Sequence, residues 1–248
     1  LSVGDIAVIN RNNGLWGNSI EISANEKLSE WANSISKRSG SRLNVRPLPN
    51  LLSFDLAYLL GLLASDGCLT EDNIIIFNNA DEDLLHSYFR IMNKLFSVEP
   101  KYKDDTCDYV VNDKYLIRYL EFCGMPRHNS HFKEVPNVIL SAPMEFQREF
   151  LIGLFDTDGT VDPHCVSLCT TSEKMARQVQ LMLLNFGIIS RIRKKFNKHD
   201  KHHYPIYISG EDISLFVQHV GFRCERKQEL LAELLSKSCG KVVESDIY

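Results

Sequence analysis

A chain of 248 residues can form one large domain or two small ones, and a hydrophobic fraction of 44% excludes bulk disorder. The longest apolar run, Leu51 to Ala64, is broken by Ser53 and Asp55 and is too short to span a bilayer, so no membrane partner is expected. The net charge of −4 argues by itself against a nucleic-acid partner, but it conceals two local basic excesses. The opening LSVGDIAVINR lacks the basic and apolar regions of a signal peptide. Seven cysteines, an odd count without small-domain spacing, read as reduced thiols of a cytoplasmic protein.

In chain order, residues 1–50 offer a strand-like start, a helix from Asn25 to Lys37 and a Ser/Gly/Arg-rich connector carrying Lys37, Arg38, Arg42 and Arg46. A helix is expected from Phe54 to Ser65, stopped by Gly67 as a left-handed residue. A strand follows at Asn73 to Phe77, and a helix over Asp81 to Phe96, where Leu84, Leu85, Tyr88, Phe89, Ile91, Met92 and Leu95 keep helical spacing. Short strands near Val98 to Tyr102 and Asp108 to Val111 precede a helix over Lys114 to Phe122, ended by Gly124. The order then repeats: a helix at Gln147 to Thr157 stopped by Gly159, a strand at Val166 to Thr170, and a helix from the N-cap Ser172 to Phe186 with Gly187 behind it. Strands at Ile188 to Phe196 and Tyr204 to Ser209 lead to a helix near Ile213 to Val220, ended by Gly221. Domain boundaries fall at 1–50, 51–143, 144–240 and 241–248, with αββαββα as the outline of each central unit.

The repeat is sharpest in one phrase. Tyr58 to Gly67 reads YLLGLLASDG, and Phe150 to Gly159 reads FLIGLFDTDG. A duplicated unit predicts a pseudo-twofold molecule. Glycine inside a helix costs about 1 kcal/mol relative to alanine, so Gly61 and Gly153 at matching positions call for a close helix–helix contact. If the two helices touch there, Asp66 and Asp158 become neighbours at two helix C-termini. Helix dipoles and mutual repulsion both disfavour that placement. A divalent cation relieves both, and hard carboxylate oxygens suit Mg²⁺ or Mn²⁺. Such an ion supports in-line displacement at a phosphodiester.

LLGLLASDG and LIGLFDTDG resemble the paired motifs of the LAGLIDADG (dodecapeptide) homing endonucleases, over roughly Leu51 to Leu235. The resemblance implies an α/β (α+β) fold of two αββαββα repeats whose sheets form a DNA-binding saddle. It also implies a monomeric endonuclease that cuts both strands of a long, asymmetric duplex site across the minor groove, leaving short 3′ overhangs. By position, Asp66 and Asp158 become the catalytic, metal-binding acids, with the backbones of Gly67 and Gly159 beside them. The sixth motif place holds Ala64 in one copy and Asp156 in the other, which assigns Asp156 a supporting role. HFKEVPNVI, with Lys133, resembles the lysine-proline block of intein-type members, and GFRCERKQELL, with Lys227, resembles its counterpart. The resemblance gives these lysines a part in positioning the attacking water or stabilising charge. LSVGDIAVINR and KVVESDIY resemble the splicing-domain strands that flank an intein endonuclease, although no splicing nucleophile or terminal His-Asn is visible.

In SRIRKKF, Arg191, Arg193 and Lys195 alternate onto one strand face suited to a major groove; Lys194, Lys198 and Lys201 add charge, and NKHDKHHY reaches the flanking backbone. The matching VEPKYKDDTCDY is more acidic, so the two halves should engage DNA unequally. Cys165 with Cys169, and His128, His131, His199, His202 and His203, lack the pairing of a zinc site. Trp16 and Trp31 read as anchors of the N-terminal segment. The competing reading is a non-cleaving nucleic-acid-binding protein on the same fold, either a maturase-like cofactor or a transcription regulator.

Overall fold

The computed structural model describes residues 11, 14–39, 43–106, 108–127, 133–196 and 202–239. Its centre is a pair of helices, α2 (Phe54–Asp66) and α6 (Met144–Asp158), one from each motif copy. In α2 every residue from Leu56 to Ala64 is buried. A helix that is apolar all round must be enclosed on all sides, and α2 is the spine of the molecule. The glycines make the pairing possible. A Cβ on Gly61 would overlap the Phe150 carbonyl and lie 2.9 Å from Leu154 N and 3.1 Å from Gly153 Cα. A Cβ on Gly153 would overlap the Tyr58 carbonyl and lie 3.2 Å from Gly61 Cα. The contact is backbone against backbone and leaves no room for a methyl group.

Around this spine the two units repeat. The first continues with β1 (Gly67–Leu69), β2 (Ile74–Phe77), α3 (Glu82–Phe96), β3 (Lys101–Lys103), β4 (Asp108–Asn112) and α4 (Lys114–Phe122). Its antiparallel sheet has the order β1-β2-β4-β3. A short α5 (Asn137–Leu140) leads into α6. The second unit continues with β5 (Gly159–Asp162), β6 (Cys165–Thr170), α7 (Glu173–Asn185), β7 (Arg191–Ile192), β8 (Lys195–Phe196), β9 (His202–Ser209) and α8 (Asp212–His219). Its sheet runs β5-β6-β9-β7, with β8 also pairing β9. A final α9 (Glu225–Cys239) follows. Alternate strand residues turn inward onto helices: Phe77 stacks on Tyr88 at 4.3 Å, and Tyr109 meets Phe89 edge-on at 5.0 Å. Among the described residues no helix is long and apolar enough to cross a membrane.

Several expectations need correction. Gly67 and Gly159 do not stop their helices by a left-handed turn. Both are extended, with φ −97° and −73°, and each opens a strand that the sequence pattern did not reveal. Glycine is needed there because a Cβ would press on the Leu63 or the Phe155 carbonyl of the preceding helical turn. The strand expected over Ile188 to Phe196 is broken into β7 and β8, and helices α5 and α9 were not foreseen. Arg46 belongs to no DNA-facing patch. It pairs with buried Asp113 at 2.8 Å and donates from Nε to the Phe96 carbonyl at 3.0 Å. Arg42 and the flanks KVVESDIY and LSVGDIAVIN lie outside the described residues.

The N-terminal segment joins the two units. Trp16 packs on Phe186 at 4.6 Å, and Asn185 donates to the Leu15 carbonyl at 3.0 Å. Ser19 N–H then donates to the Ser141 carbonyl, and Leu52 N–H to that of Ile20. Helix α1 (Ala24–Ser39) settles against α4, with Lys114 and Arg118 over the Trp31 ring. Both tryptophans therefore anchor this segment.

The central contact predicts an unusual intolerance of alanine. Overpacking costs about 1–3 kcal/mol where side chains can yield; here backbone faces backbone, so Gly61→Ala and Gly153→Ala should each cost about 3 kcal/mol or more. Urea midpoints measured by circular dichroism would test this, and wild-type midpoints would refute the close contact.

Candidate active site at the paired helix ends

Asp66 and Asp158 end α2 and α6, and the helix pairing brings them to one place. Each lies within the field of both Lys133 and Lys227, and the charge of Asp66 acts directly on Asp158. Asn79, which follows β2, donates from Nδ2 to Asp66 Oδ2 at 2.7 Å, while its own Oδ1 accepts from Asp81 N–H at 2.8 Å. Among the described residues, Asp158 has no such amide. The register aligns Gly67–Phe77 with Gly159–Leu168, so Thr170 stands where Asn79 does. The buried Ser65 hydroxyl has no hydrogen bond of normal geometry, yet lies near enough to Asp158 to favour its charged form.

Withdrawal from water pushes the Asp66 carboxyl above its usual range, against the pull of Asn79 and the two lysines. Asp158 keeps solvent access along one side. Protein still crowds its carboxyl enough to push it upward, and the negative charge of Asp66 adds to that push. Both lysines are pulled below their usual range by burial, opposed by the carboxylates around them.

The lysines are placed in a way the sequence did not show. Lys133 Nζ donates to the carbonyls of Ser65 at 2.5 Å and Gly67 at 3.2 Å. Lys227 Nζ donates to those of Phe155 at 3.0 Å, Asp156 at 2.6 Å and Thr157 at 2.9 Å. The last carbonyls of a helix have no intrahelical partner; Lys227 takes three of them on α6, while Lys133 takes that of Ser65 on α2 together with that of Gly67 in β1. An ammonium has three donors, so Lys227 has none left for water. The Gly67 carbonyl, already holding a cation, is a poor ligand for another. The flanks of each lysine reach the opposite unit. The Lys133 carbonyl accepts from Ser172 Oγ at 2.5 Å, at the N-cap of α7, and Cys224 Sγ donates to Asp81 Oδ2 at 3.2 Å, at the N-cap of α3.

Asp156 is fully buried and accepts from Tyr58 Oη at 2.8 Å, Arg223 N–H at 2.8 Å and Cys224 N–H at 3.2 Å. It ties α6 to α2 and to the start of α9, which is the supporting role its motif position implied. Tyr58 and Asn79 are site residues that the sequence reading missed. A Tyr at the head of one motif copy where the other has Phe150, and Asn79 two residues before an N-cap, were the available signals.

On the second sheet the cationic residues gather about Tyr207. Arg191 pairs with it across the ladder, Arg193 lies 5.9 Å from its ring, and Lys195 donates to its hydroxyl at 2.7 Å. Arg191, Arg193, Lys194 and Lys195 are all exposed. Lys198 and Lys201, with His128, His131 and His199, lie outside the described residues. Among the described residues, no cluster of three or more His, Cys, Asp or Glu could hold a metal ion. The donor set is thus two carboxylates. That suits Mg²⁺, which takes one or two and fills its shell with water and phosphate oxygens.

The raised carboxyls carry a pH signature. A carboxyl raised in the folded state holds its proton more tightly there than in the unfolded chain, so stability falls as pH rises through that interval. Without divalent ions, Asp158→Asn should melt above wild type at pH 7, with the gap closing as pH falls into the ordinary carboxylate range. A gap independent of pH, followed by calorimetry, would show that the Asp158 carboxyl is not raised in the folded state.

Comparison with known proteins agrees with this architecture. Residues 145–221 match the LAGLIDADG-like domain. The chain is 34% identical over 188 residues to the replication factor C small subunit of Methanocaldococcus jannaschii, covering 73% of this chain and 10% of that protein. It is 30% identical over 182 residues to an A-type ATP synthase subunit of Pyrococcus abyssi, covering 71% and 17%. The chain therefore spans a small fraction of the length of these relatives. Among solved structures, mesophilic variants of the homing endonuclease I-DmoI superpose with a TM-score of 0.54 at 21% identity, over 73% of this chain and 97% of that one. I-DmoI in complex with DNA and Mn gives 0.50 at 22%, over 67% and 96%. Full-length DUF199/WhiA from Thermatoga maritima gives 0.51 at 16%, over 92% and 69%. Residues 145–221 therefore carry a LAGLIDADG-like domain, and the fold shared with the homing endonuclease I-DmoI extends over 73% of the chain.

Proposed function

We propose that this protein is a divalent-metal-dependent endonuclease that cuts both strands of a long, asymmetric duplex site as a monomer. The carrying observation is the meeting of Asp66 and Asp158 at two helix ends, where burial raises both carboxyls and the charge of Asp66 adds to the rise at Asp158. The cationic face around Tyr207 supplies a second, independent support, because exposed Arg and Lys on a sheet suit a phosphate-rich groove. The solved complex of I-DmoI contains DNA and Mn, consistent with a divalent cofactor here. The named relatives are a replication factor and an ATP synthase subunit, unrelated in activity and several times longer than the matched segment. That distribution supports an element inserted into different hosts, as in the intein-type reading.

In this mechanism Asp66 and Asp158 would hold the cation. When bound, the ion lowers the pKa of an attacking water and steadies the leaving oxygen of the phosphodiester. The rest falls to the chain. Asn79 fixes the Asp66 carboxylate. Lys133 and Lys227 act through the helix ends, cancelling the negative pole that would otherwise repel both the acids and the incoming phosphate. Asp156, Tyr58 and the α9 turn keep the two acids in register.

The alternative of a non-cleaving binding protein separates cleanly by mutation. Asp66→Asn and Asp158→Asn should each lower double-strand cleavage in Mg²⁺ by about a hundredfold or more, with duplex affinity in Ca²⁺ little changed. A wild-type protein that binds duplex and never cuts it would favour the alternative. Arg191→Ala with Arg193→Ala should reduce the slope of log K against log salt by about one for each phosphate that is no longer neutralised. An unchanged slope, measured by fluorescence anisotropy, would show that this face lies away from DNA.

A further inference from the structure

The two sheets are superimposable in register and opposite in chemistry. On the first sheet Leu69, Ile75, Phe77 and Val111 are buried against the helices. Their alternates therefore point outward, to the face that no described helix covers. The ladder aligns Cys68, Ile76, Val110 and Lys101 in one row across β1, β2, β4 and β3. The next row pairs Ile74 with Asn112. On the second sheet the row equivalent to Cys68, Ile76, Val110 and Lys101 is Thr160, Ser167, Tyr207 and Arg191. Three of these four carry hydroxyls and the fourth is a guanidinium. The first sheet instead sets Ile74, Ile76 and Val110 together at its centre, each half-exposed, with Lys101 on the edge strand and Asn112 beside Ile74.

Ile and Val offer no donor or acceptor, so they cannot read a guanine, cytosine or adenine edge. The apolar feature of the major groove is the thymine C5-methyl, and a neighbouring Asn suits adenine. We propose that the first sheet recognises its half of the duplex by packing Ile74, Ile76 and Val110 against thymine methyl groups, while the second sheet reads its half by hydrogen bonding from Arg191 and its neighbours. Lys101 and Lys103 on the edge strand place positive charge where the duplex backbone would run, outweighing Asp108, which Asn78 engages one row in, and this favours DNA as the occupant of this face. This inference rests on the reading of the protein as a duplex binder.

The test is selection of bound duplexes from a randomised library, followed by replacement of single thymines with deoxyuridine, which lacks only the methyl. The orientation of the site is set by the half whose base preference relaxes in Arg191→Ala. The other half should be thymine-bearing, and one or more uridine replacements there should weaken binding about fourfold per buried methyl, against less than about twofold in the Arg191 half. Ile76→Ser with Val110→Ser should bind thymine and uridine duplexes equally. Enriched sites without thymine in that half, or uridine replacements without effect on the wild-type protein, overturn the inference and leave the duplex-binding reading intact. Enrichment of no duplex at all removes both. If Ile76→Ser instead turns a dimer into a monomer while uridine remains neutral, the patch is a self-association surface and the inference falls.

Discussion

Everything in this molecule follows from two helices touching through glycine. Once Gly61 and Gly153 face each other at backbone distance, the axes of α2 and α6 are fixed and their C-termini arrive together. Each sheet then departs from the end of its own helix, because Gly67 and Gly159 pass directly from helix into strand with no loop between. The distance between the two sheets, and so the span of any duplex they could hold, is set by that contact. Interiors are close-packed and transmit displacement, so a side chain that parted the helices would also part the acids and the two sheets.

The cost of the arrangement is electrostatic. Two carboxylates sit at the negative poles of two helices, partly withdrawn from water. The protein offsets this with two ammonium groups, Lys227 buried and Lys133 partly so, each donating to carbonyls at or just beyond a helix end. The same residues connect the halves: the Lys133 segment reaches the N-cap of α7, and the Lys227 segment reaches that of α3. Charge compensation and the joining of the units are therefore one structural device, used twice. Buried polar networks rigidify when every member is satisfied, and Asp156 with three donors is such a member.

Symmetry in the spine does not extend to the surfaces. Asn79 holds one acid while Thr170 stands at the matching place near the other. The central row of one sheet carries Ser167 and Tyr207 beside Arg191, where the matching row of its twin carries Ile76 and Val110. The duplicated halves have thus diverged at their outer faces but not at their contact.

The sequence alone determined the repeat, the two motif helices, the glycine contact and the pair of acids, because each is a local pattern written twice. Element order was largely legible too: hydrophobic spacing marked α3, and Ser172 marked α7. Strands β1 and β5 escaped, since they are short and begin at glycines that also read as helix stops. Helix α9 escaped because its apolar positions were absorbed into the lysine-bearing motif. Only the tertiary structure decided the work of the lysines, the burial of Asp156 against Tyr58, the Asn79 contact and the removal of Arg46 from the surface. Each depends on chain segments far apart in sequence, and burial and hydrogen-bond partners across such distances are set by packing rather than by local spacing. A single side chain cannot announce which carbonyl it will meet.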